Sequence, residues 1–380
     1  MCMSNSETPE RTLIDSISNA SAARSDLDLT SLATAIKVWG RDAGFQAVGI
    51  ADVDLRDAEP GLIAWLEGGC HGTMDYMAQH GTRRSRPAEL VQGAIRVISA
   101  RMDYLPDASS AEVVLADGNK AFIARYALGR DYHKVLRQRL QQLASRIERA
   151  IGPFGHRVFT DSAPVMEVEL AKKAGIGWRG KHTLLLSRDA GSYFFLGEIY
   201  VDLPLPVDAP TTEHCGSCSK CIDACPTGAI TGPYRLDARR CIAYLTIELK
   251  ESIPIELRPL IGNRVYGCDD CQMVCPWNSF AKVSAEPDFQ VRHGLDAATL
   301  VELFAWTAAE FQARMAGSSI YRIGYQRWLR NLAVGLGNAP TGDAVLKALH
   351  ARTDDPSPLV REHVAWALSR HTDTMVKSAE

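Results

Sequence analysis

The chain has 380 residues, 46% of them hydrophobic and 23% charged, with a formal net charge of −3 and a pI near 6.4. That length suggests two or three domains, and the composition is that of a globular chain rather than a disordered or collagen-like one. No apolar run reaches the roughly 18 residues that span a bilayer, and the slightly acidic balance gives no global attraction to nucleic acid, so a polyanionic partner would need a local basic patch.

Residues 1–28, rich in Ser, Thr, Asp and Arg, read as a mobile tail with no apolar signal core and no paired arginines. Residues 29–210 alternate helical and strand-like segments, which predicts an α/β domain with its own core. Leu32, Ile36 and Trp39 recur at helical spacing ahead of an apolar run over 45–50. Further strands are predicted over 94–100, 122–126, 157–160, 183–186 and 193–201. A long amphipathic helix is predicted over 131–151, with Leu136, Leu140 and Leu143 on one side. Another helix runs through 165–173, and Asp161 or Ser162 ahead of it suits a cap, with Pro164 in the first turn. His133 is chemically able, yet at the start of the long helix it reads equally well as a surface residue. Lys172, Lys173, Arg179 and Lys181 flank a Gly-rich turn and suit either a phosphate or plain solvent. Neither the dinucleotide nor the P-loop glycine signature is present.

Eight of the ten cysteines fall between Cys215 and Cys275. The first run, Cys215, Cys218, Cys221 and Cys225, follows the C-x2-C-x2-C-x3-C-P spacing of ferredoxins, in which the fourth cysteine reaches across to a second cluster. The second run is shorter, Cys268, Cys271 and Cys275 before Pro276, and Cys241 stands alone between the two. The spacing predicts two 4Fe-4S clusters, one held by Cys215, Cys218, Cys221 and Cys275, the other by Cys225, Cys241, Cys268 and Cys271. A four-thiolate zinc site is the competing reading, although it does not need three close cysteines and a Cys-Pro twice over. Cys2 and Cys70 have no evident partner. Such thiolates need a reducing compartment, and the cytoplasm fits. Residues 211–290 hold few apolar side chains, so metal ligation must contribute to their stability.

Residues 291–380 are helical. The segments 328–336 and 359–368 resemble each other, as paired helices of a HEAT-type repeat do; an unrelated helical cap is the alternative. Between Arg314 and Arg330 lie four arginines, several aromatics and no acid. Arg322, Arg327 and Arg330 are the expected phosphate contacts if RNA is bound there.

Four segments carry a family resemblance: 160–165 (Thr-Asp-Ser-Ala-Pro-Val), 174–181 (Ala-Gly-Ile-Gly-Trp-Arg-Gly-Lys), 240–246 (Arg-Cys-Ile-Ala-Tyr-Leu-Thr) and 262–276, which ends on the second cysteine run. With the offset Cys241, the preceding α/β domain and the HEAT-like tail, the chain resembles epoxyqueuosine reductase from about residue 30 to about residue 370. The resemblance implies a cobalamin-dependent enzyme that removes the epoxide oxygen from epoxyqueuosine in tRNA. It further implies a monomer in the cytoplasm, free of membranes, that draws electrons from an external low-potential donor. It assigns Asp161 as general acid, Arg84 to the corrin, and Ala243, Cys268 and Asp269 to the cofactor's surroundings. Asp161 would need a carboxyl raised by desolvation to act near neutral pH. Where the family often has a cysteine, this chain has Ala124. A corrinoid reductive dehalogenase and a non-catalytic electron-transfer module are the rival readings, and bound cobalamin separates the second from either enzyme.

Overall fold

The computed structural model describes residues 27–379, with side chains through residue 372. The tail expected over 1–28 lies outside the described residues up to position 26, and Cys2 with it. Asp28 caps the first helix, α1 (Leu29–Asp42), by accepting from the backbone N–H groups of Thr30 and Ser31. Four strands form the main sheet: β1 (Ala47–Asp52), β2 (Arg96–Asp103), β3 (His156–Thr160) and β4 (Phe194–Val201). Their order is β1-β2-β4-β3, and every ladder is antiparallel. The alternating pattern thus yields mixed helix and sheet without a parallel crossover.

The long amphipathic helix α2 (Tyr132–Ile151) is capped by Asp131 and packs Leu136, Leu140, Leu143 and Ile147 onto one sheet face, beside Leu32 and Ile36 of α1. The opposite face is covered by α3 (Glu167–Lys173), whose Leu170 meets Val97, Phe159 and Tyr200. Helix α3 starts without a side-chain cap. Neither Asp161 nor Ser162 fills that role, because the turn from Ala163 to Met166 separates them from the first helical residue. The strand predicted over 122–126 shrinks to Phe122–Ile123 and leaves the main sheet altogether. It pairs in parallel with Arg264–Tyr266, immediately before the second cysteine run. The strand predicted over 183–186 is reduced to Leu185–Leu186, paired with Trp178–Arg179.

At the C-terminal end, α4 (Gly324–Asn338) packs against α5 (Pro358–Ala379). The core beneath them is shared across distant sequence. Ala121, Ile123, Leu128, Val265 and Tyr266 join Trp328, Leu329, Leu332 and Val364 in one cluster.

Arg330 of α4 is 0% exposed. Its guanidinium donates to the carbonyls of Leu245 (2.7 Å), Leu249 (2.7 Å) and Glu251 (2.8 Å) and to Asn331 Oδ1. Asn331 donates to the carbonyls of Thr246 (2.8 Å) and Val265 (2.9 Å). Apart from Val265, which lies in the strand Arg264–Tyr266, those carbonyls belong to or follow a π-helical turn, Tyr244–Glu248. This corrects the expectation that Arg330 touches RNA, since all its donors are spent inside the protein. Arg330→Met should lower stability by about 3 kcal/mol or more, because buried carbonyls lose their donors. Anaerobic thermal unfolding of the cluster-replete protein measures it, and an unchanged midpoint would show that the carbonyls find other partners.

Candidate active site and cluster cavities

Two cavities divide the cysteines. The smaller, about 240 Å³, is lined by Cys215, Cys218, Cys221 and Cys275, with His214 and Trp277 beside them. The larger, about 370 Å³, has Cys225, Cys241, Cys268 and Cys271 in its wall. Each set therefore draws one member from the other run. Local structure explains the exchange. Short helical turns, Lys220–Asp223 and Asp270–Met273, present Cys221 and Cys271, and the prolines at 226 and 276 redirect the chain after the last cysteine of each run. Lys181 latches the first loop by donating to the carbonyls of Gly216 (2.7 Å) and Cys218 (2.8 Å). Arg264 grips Asp270 with both ends of its guanidinium. Cys70 lies in neither cavity.

The larger cavity carries most of the other residues expected at a site. Asp161 lines it from the turn after β3, and Ala243, Gly267, Cys268 and Asp269 line it from the cysteine side. Ala124 is in the wall too, so close to Gly267 that a Cβ added there would stand 2.4 Å from the Ala124 Cβ. Asp269 has φ 66°, and its buried carboxylate accepts from the Arg125 N–H at 2.7 Å. Burial pushes that carboxyl up to about 6. Arg84 is buried outside the cavity lining. It donates to the Tyr76 carbonyl at 3.1 Å, while its Nε has no partner and its charge interacts with Asp161.

Asp161 does not stand alone. Its side chain is 51% exposed, toward the cavity it lines, and His133 Nε2 lies 3.1 Å from Oδ2. The Tyr132 hydroxyl donates to the same oxygen. Tyr132 is fixed by stacking on Phe195, with centroids 3.9 Å apart. His133 Nδ1 sits 2.7 Å from Asp131, which also accepts from Arg322 at 3.1 Å. Burial alone would raise the Asp161 carboxyl, but the hydrogen bonds from His133 and Tyr132 outweigh it and hold it below its usual value. Burial alone would lower His133, and its bonds to Asp131 and Asp161 win there as well, holding it above its ordinary value. This corrects the expectation of a desolvated, protonated Asp161: the pair carries its proton on the imidazole side. Glu167, the first residue of α3, lines the same cavity and behaves in the opposite way, with burial and then the Asp161 charge pushing it up to about 8.

Other expectations fare differently. Arg327 is half-buried and donates to the carbonyls of Ile323, Ile247 and Arg322, so it is committed to the fold and is withdrawn as a phosphate contact. Arg322 remains exposed at the mouth of the site. Lys172, Lys173 and Arg179 pair with Glu213, Asp52 and Glu169. With Lys181 engaged on the cysteine loop, the phosphate reading of that turn is lost. Sequence reasoning missed Tyr132, Glu167 and Glu198. Glu198 had a signal, a charged residue in the middle of the apolar strand 194–201.

Residues 84–162 match the family described as epoxyqueuosine reductase QueG, DUF1730, and residues 214–278 match a 4Fe-4S double cluster binding domain. Epoxyqueuosine reductase of Burkholderia pseudomallei is 64% identical over 90% of this chain and 93% of its own length. The Pseudomonas aeruginosa protein of the same name is 64% identical over 91% of this chain and 96% of its own, and that of Escherichia coli 54% identical over 91% of each. A crystal structure of epoxyqueuosine reductase with an epoxyqueuosine-modified tRNA-Tyr stem loop superposes with a TM-score of 0.83 at 28% identity, covering 90% of this chain and 91% of that one. A Bacillus subtilis epoxyqueuosine reductase, caught with its aspartate-bearing catalytic loop swung out of the active site, gives a TM-score of 0.82 at 28% identity over 90% of this chain and 91% of that chain. On these identities, which run nearly end to end, the chain belongs to the epoxyqueuosine reductase family.

Proposed function

We propose that this chain reduces epoxyqueuosine in tRNA to queuosine, in the cavity where Asp161 and Glu167 face a wall of four cysteines. The observation that carries the reading is this meeting of proton-bearing groups and cluster ligands across one space. Two 4Fe-4S clusters would be held in the crossed sets, Cys215, Cys218, Cys221 and Cys275 on one, and Cys225, Cys241, Cys268 and Cys271 on the other. Divided in this way, the unit from 211 to 290 is the electron-transfer part, 29–210 the catalytic part and 291–380 a HEAT-like end. An external low-potential donor would feed the clusters, and a reducing compartment such as the cytoplasm suits the thiolates.

Cobalamin fits the larger cavity on two features. Its wall near Ala124 and Gly267 is stripped of side-chain bulk, and the buried Arg84 keeps an unpartnered Nε near the site for a polar substituent. Ala243, Cys268 and Asp269 would border it. When bound, a cobalt corrin supplies strongly reducing chemistry that amino-acid side chains lack. The protein's own part is positional and protonic. Tyr132 and Phe195 wall the space, Tyr132 and His133 fix the Asp161 carboxylate, and His133 holds the proton that Asp161 would pass to the leaving oxygen. Asp161→Asn should keep iron and cobalamin yet slow single-turnover reduction by about 10²-fold or more. Near-normal reduction by this variant would remove Asp161 from the chemistry.

The crossed assignment has its own test. Cys225→Ala should damage the cluster built mainly by the second run and leave that of Cys215, Cys218 and Cys221. Iron content and the electron paramagnetic resonance of the reduced protein distinguish the two, and damage confined to the first run's cluster would reject the crossing.

With Arg327 and Arg330 spent inside, the RNA backbone needs another surface. Helix α2 offers one. Lys134, Arg137, Gln138, Gln141 and Arg149 line a shallow groove along its outer side, at three- and four-residue spacings. Arg139 and Arg146 of the same helix pair with Glu286 and Asp42, whereas Lys134, Arg137 and Arg149 are exposed with no carboxylate partner among the described residues. The stripe begins at Lys134, the residue after His133, with Arg322 paired to Asp131 at the same helix start, so it leads away from the mouth of the site. Replacing Lys134, Arg137 and Arg149 with Ala should weaken tRNA binding and lower the salt dependence by about one unit per lost contact. Affinities measured against salt decide it; identical slopes would return this face to solvent.

A further inference from the structure

Glu198 stands at the centre of the main sheet, 0% exposed, and neither carboxyl oxygen has a hydrogen-bond partner. A buried carboxylate with no donor is among the costliest groups a core can hold, so the group keeps its proton. Its place in the sheet gives it a direction. Glu198 lies opposite Ser99 on one side and Phe159 on the other, and directly opposed residues share a face. Phe159, with Tyr200 two positions along, packs beneath Leu170 of α3, so Glu198 points under that helix. Glu167 heads the same helix and opens onto the cavity beside Asp161. Glu167 and Asp161 are the carboxyls whose charges bear on Glu198. Ser99 Oγ and Tyr200 OH, on the same face, are likewise buried without partners.

The reaction proposed above consumes more than one proton. Removing the epoxide oxygen breaks two C–O bonds, forms one C=C bond and releases water, which takes up two electrons and two protons. The electrons would come singly from an external low-potential donor, by way of the clusters that the two cysteine sets would hold. The Asp161–His133 pair holds one proton and leaves the second without a source. We propose that Glu167 supplies the second proton from the cavity wall and that Glu198, behind it, is the reserve from which Glu167 is reprotonated. This role rests on the reading of the site as an epoxyqueuosine reductase.

The groups facing Glu167 set the sign of its pH dependence. Asp161 and Tyr132 face it from the cavity, His133 from the head of α2 and Glu198 from the sheet. Burial and the Asp161 charge raise Glu167 and the imidazolium lowers it, leaving it near 8. The acid is therefore present below that pH and lost as pH rises through it.

Single-turnover reduction of epoxyqueuosine tRNA is to be followed against pH with cluster iron and cobalamin matched across variants. Infrared spectra of the same proteins without substrate report the carboxylic-acid carbonyl stretch. Wild type should slow as pH passes through about 8. Glu167→Gln should be slower by about 10²-fold and lose that alkaline fall, and Glu167→Asp should recover most of the rate. Glu198→Gln should give a smaller loss and remove the infrared acid band that wild type keeps at a pH well above the Glu167 titration. Glu167→Gln at the wild-type rate with an unchanged pH profile overturns the role of Glu167. An acid band that survives Glu198→Gln at that high pH overturns that of Glu198. Should Glu198→Gln fail to accumulate, absence of any acid band in wild type above the Glu167 titration refutes the reserve just as directly. A wild-type protein that never reduces the RNA rejects the reading of function itself, an outcome separate from active wild type with an indifferent Glu167 variant.

Discussion

Arg330 keeps a permanent charge where no water reaches it, and the carbonyls it satisfies lie in and just after the turn that follows the larger cavity's wall at Cys241–Ala243. A guanidinium offers five donors in a rigid fork. Here they bind carbonyls within and just after the π-helical turn, and Asn331 adds a link to the strand before Cys268. Cys241 and Ala243 precede that turn, and Cys268 follows that strand. The helical C-terminal end therefore braces two stretches that are also joined directly, where the Gly267 N–H donates to Thr246 Oγ1 at 2.9 Å. Asp161 and Glu167, carried by the opposite side of the molecule, meet those stretches at a distance fixed by packing rather than by loops.

The chemistry of the site follows from how three carboxyls are housed. Asp161 has two donors on one oxygen and stays ionised. Glu167 has no side-chain donor among the described residues and faces that negative charge, and Glu198 is sealed in the sheet. Three acids within one region thus divide into a base-like member and two proton carriers, set apart by environment rather than by residue type. The imidazole of His133, held between Asp131 and Asp161, completes the division by keeping a positive charge next to the ionised member.

Much of this was legible in the sequence, and the losses have physical causes. The cysteine spacing encodes its own geometry, because two-residue gaps and a following proline leave few ways to place the thiols. The amphipathic period of 131–151 located α2, since one apolar stripe of a 3.6-residue helix has only one face to bury. Strand direction was not legible, as alternation along a strand is the same in parallel and antiparallel sheets. The pairing of Phe122–Ile123 with Arg264–Tyr266 was hidden because nothing local marks a partner so far along the chain. Arg330 misled because a basic residue among aromatics reads as a surface for RNA, and only the fold reveals carbonyls waiting for it. Asp161 misled in its charge, since the effect of His133 depends on a contact between helix and turn.

The parallel ladder between Phe122–Ile123 and Arg264–Tyr266 also orders events during synthesis. The first strand leaves the ribosome long before the second exists, so its N–H and C=O groups wait for a partner that arrives with the last cysteines. Pairings across such a span close slowly, because the intervening chain must first lose its freedom. The second cysteine run is therefore anchored only after the amino-terminal half has folded to receive it. Metal delivery to its cluster must either follow that docking or bring it about, and a fragment cut out as a free-standing ferredoxin would lack the strand on which its second run is hung.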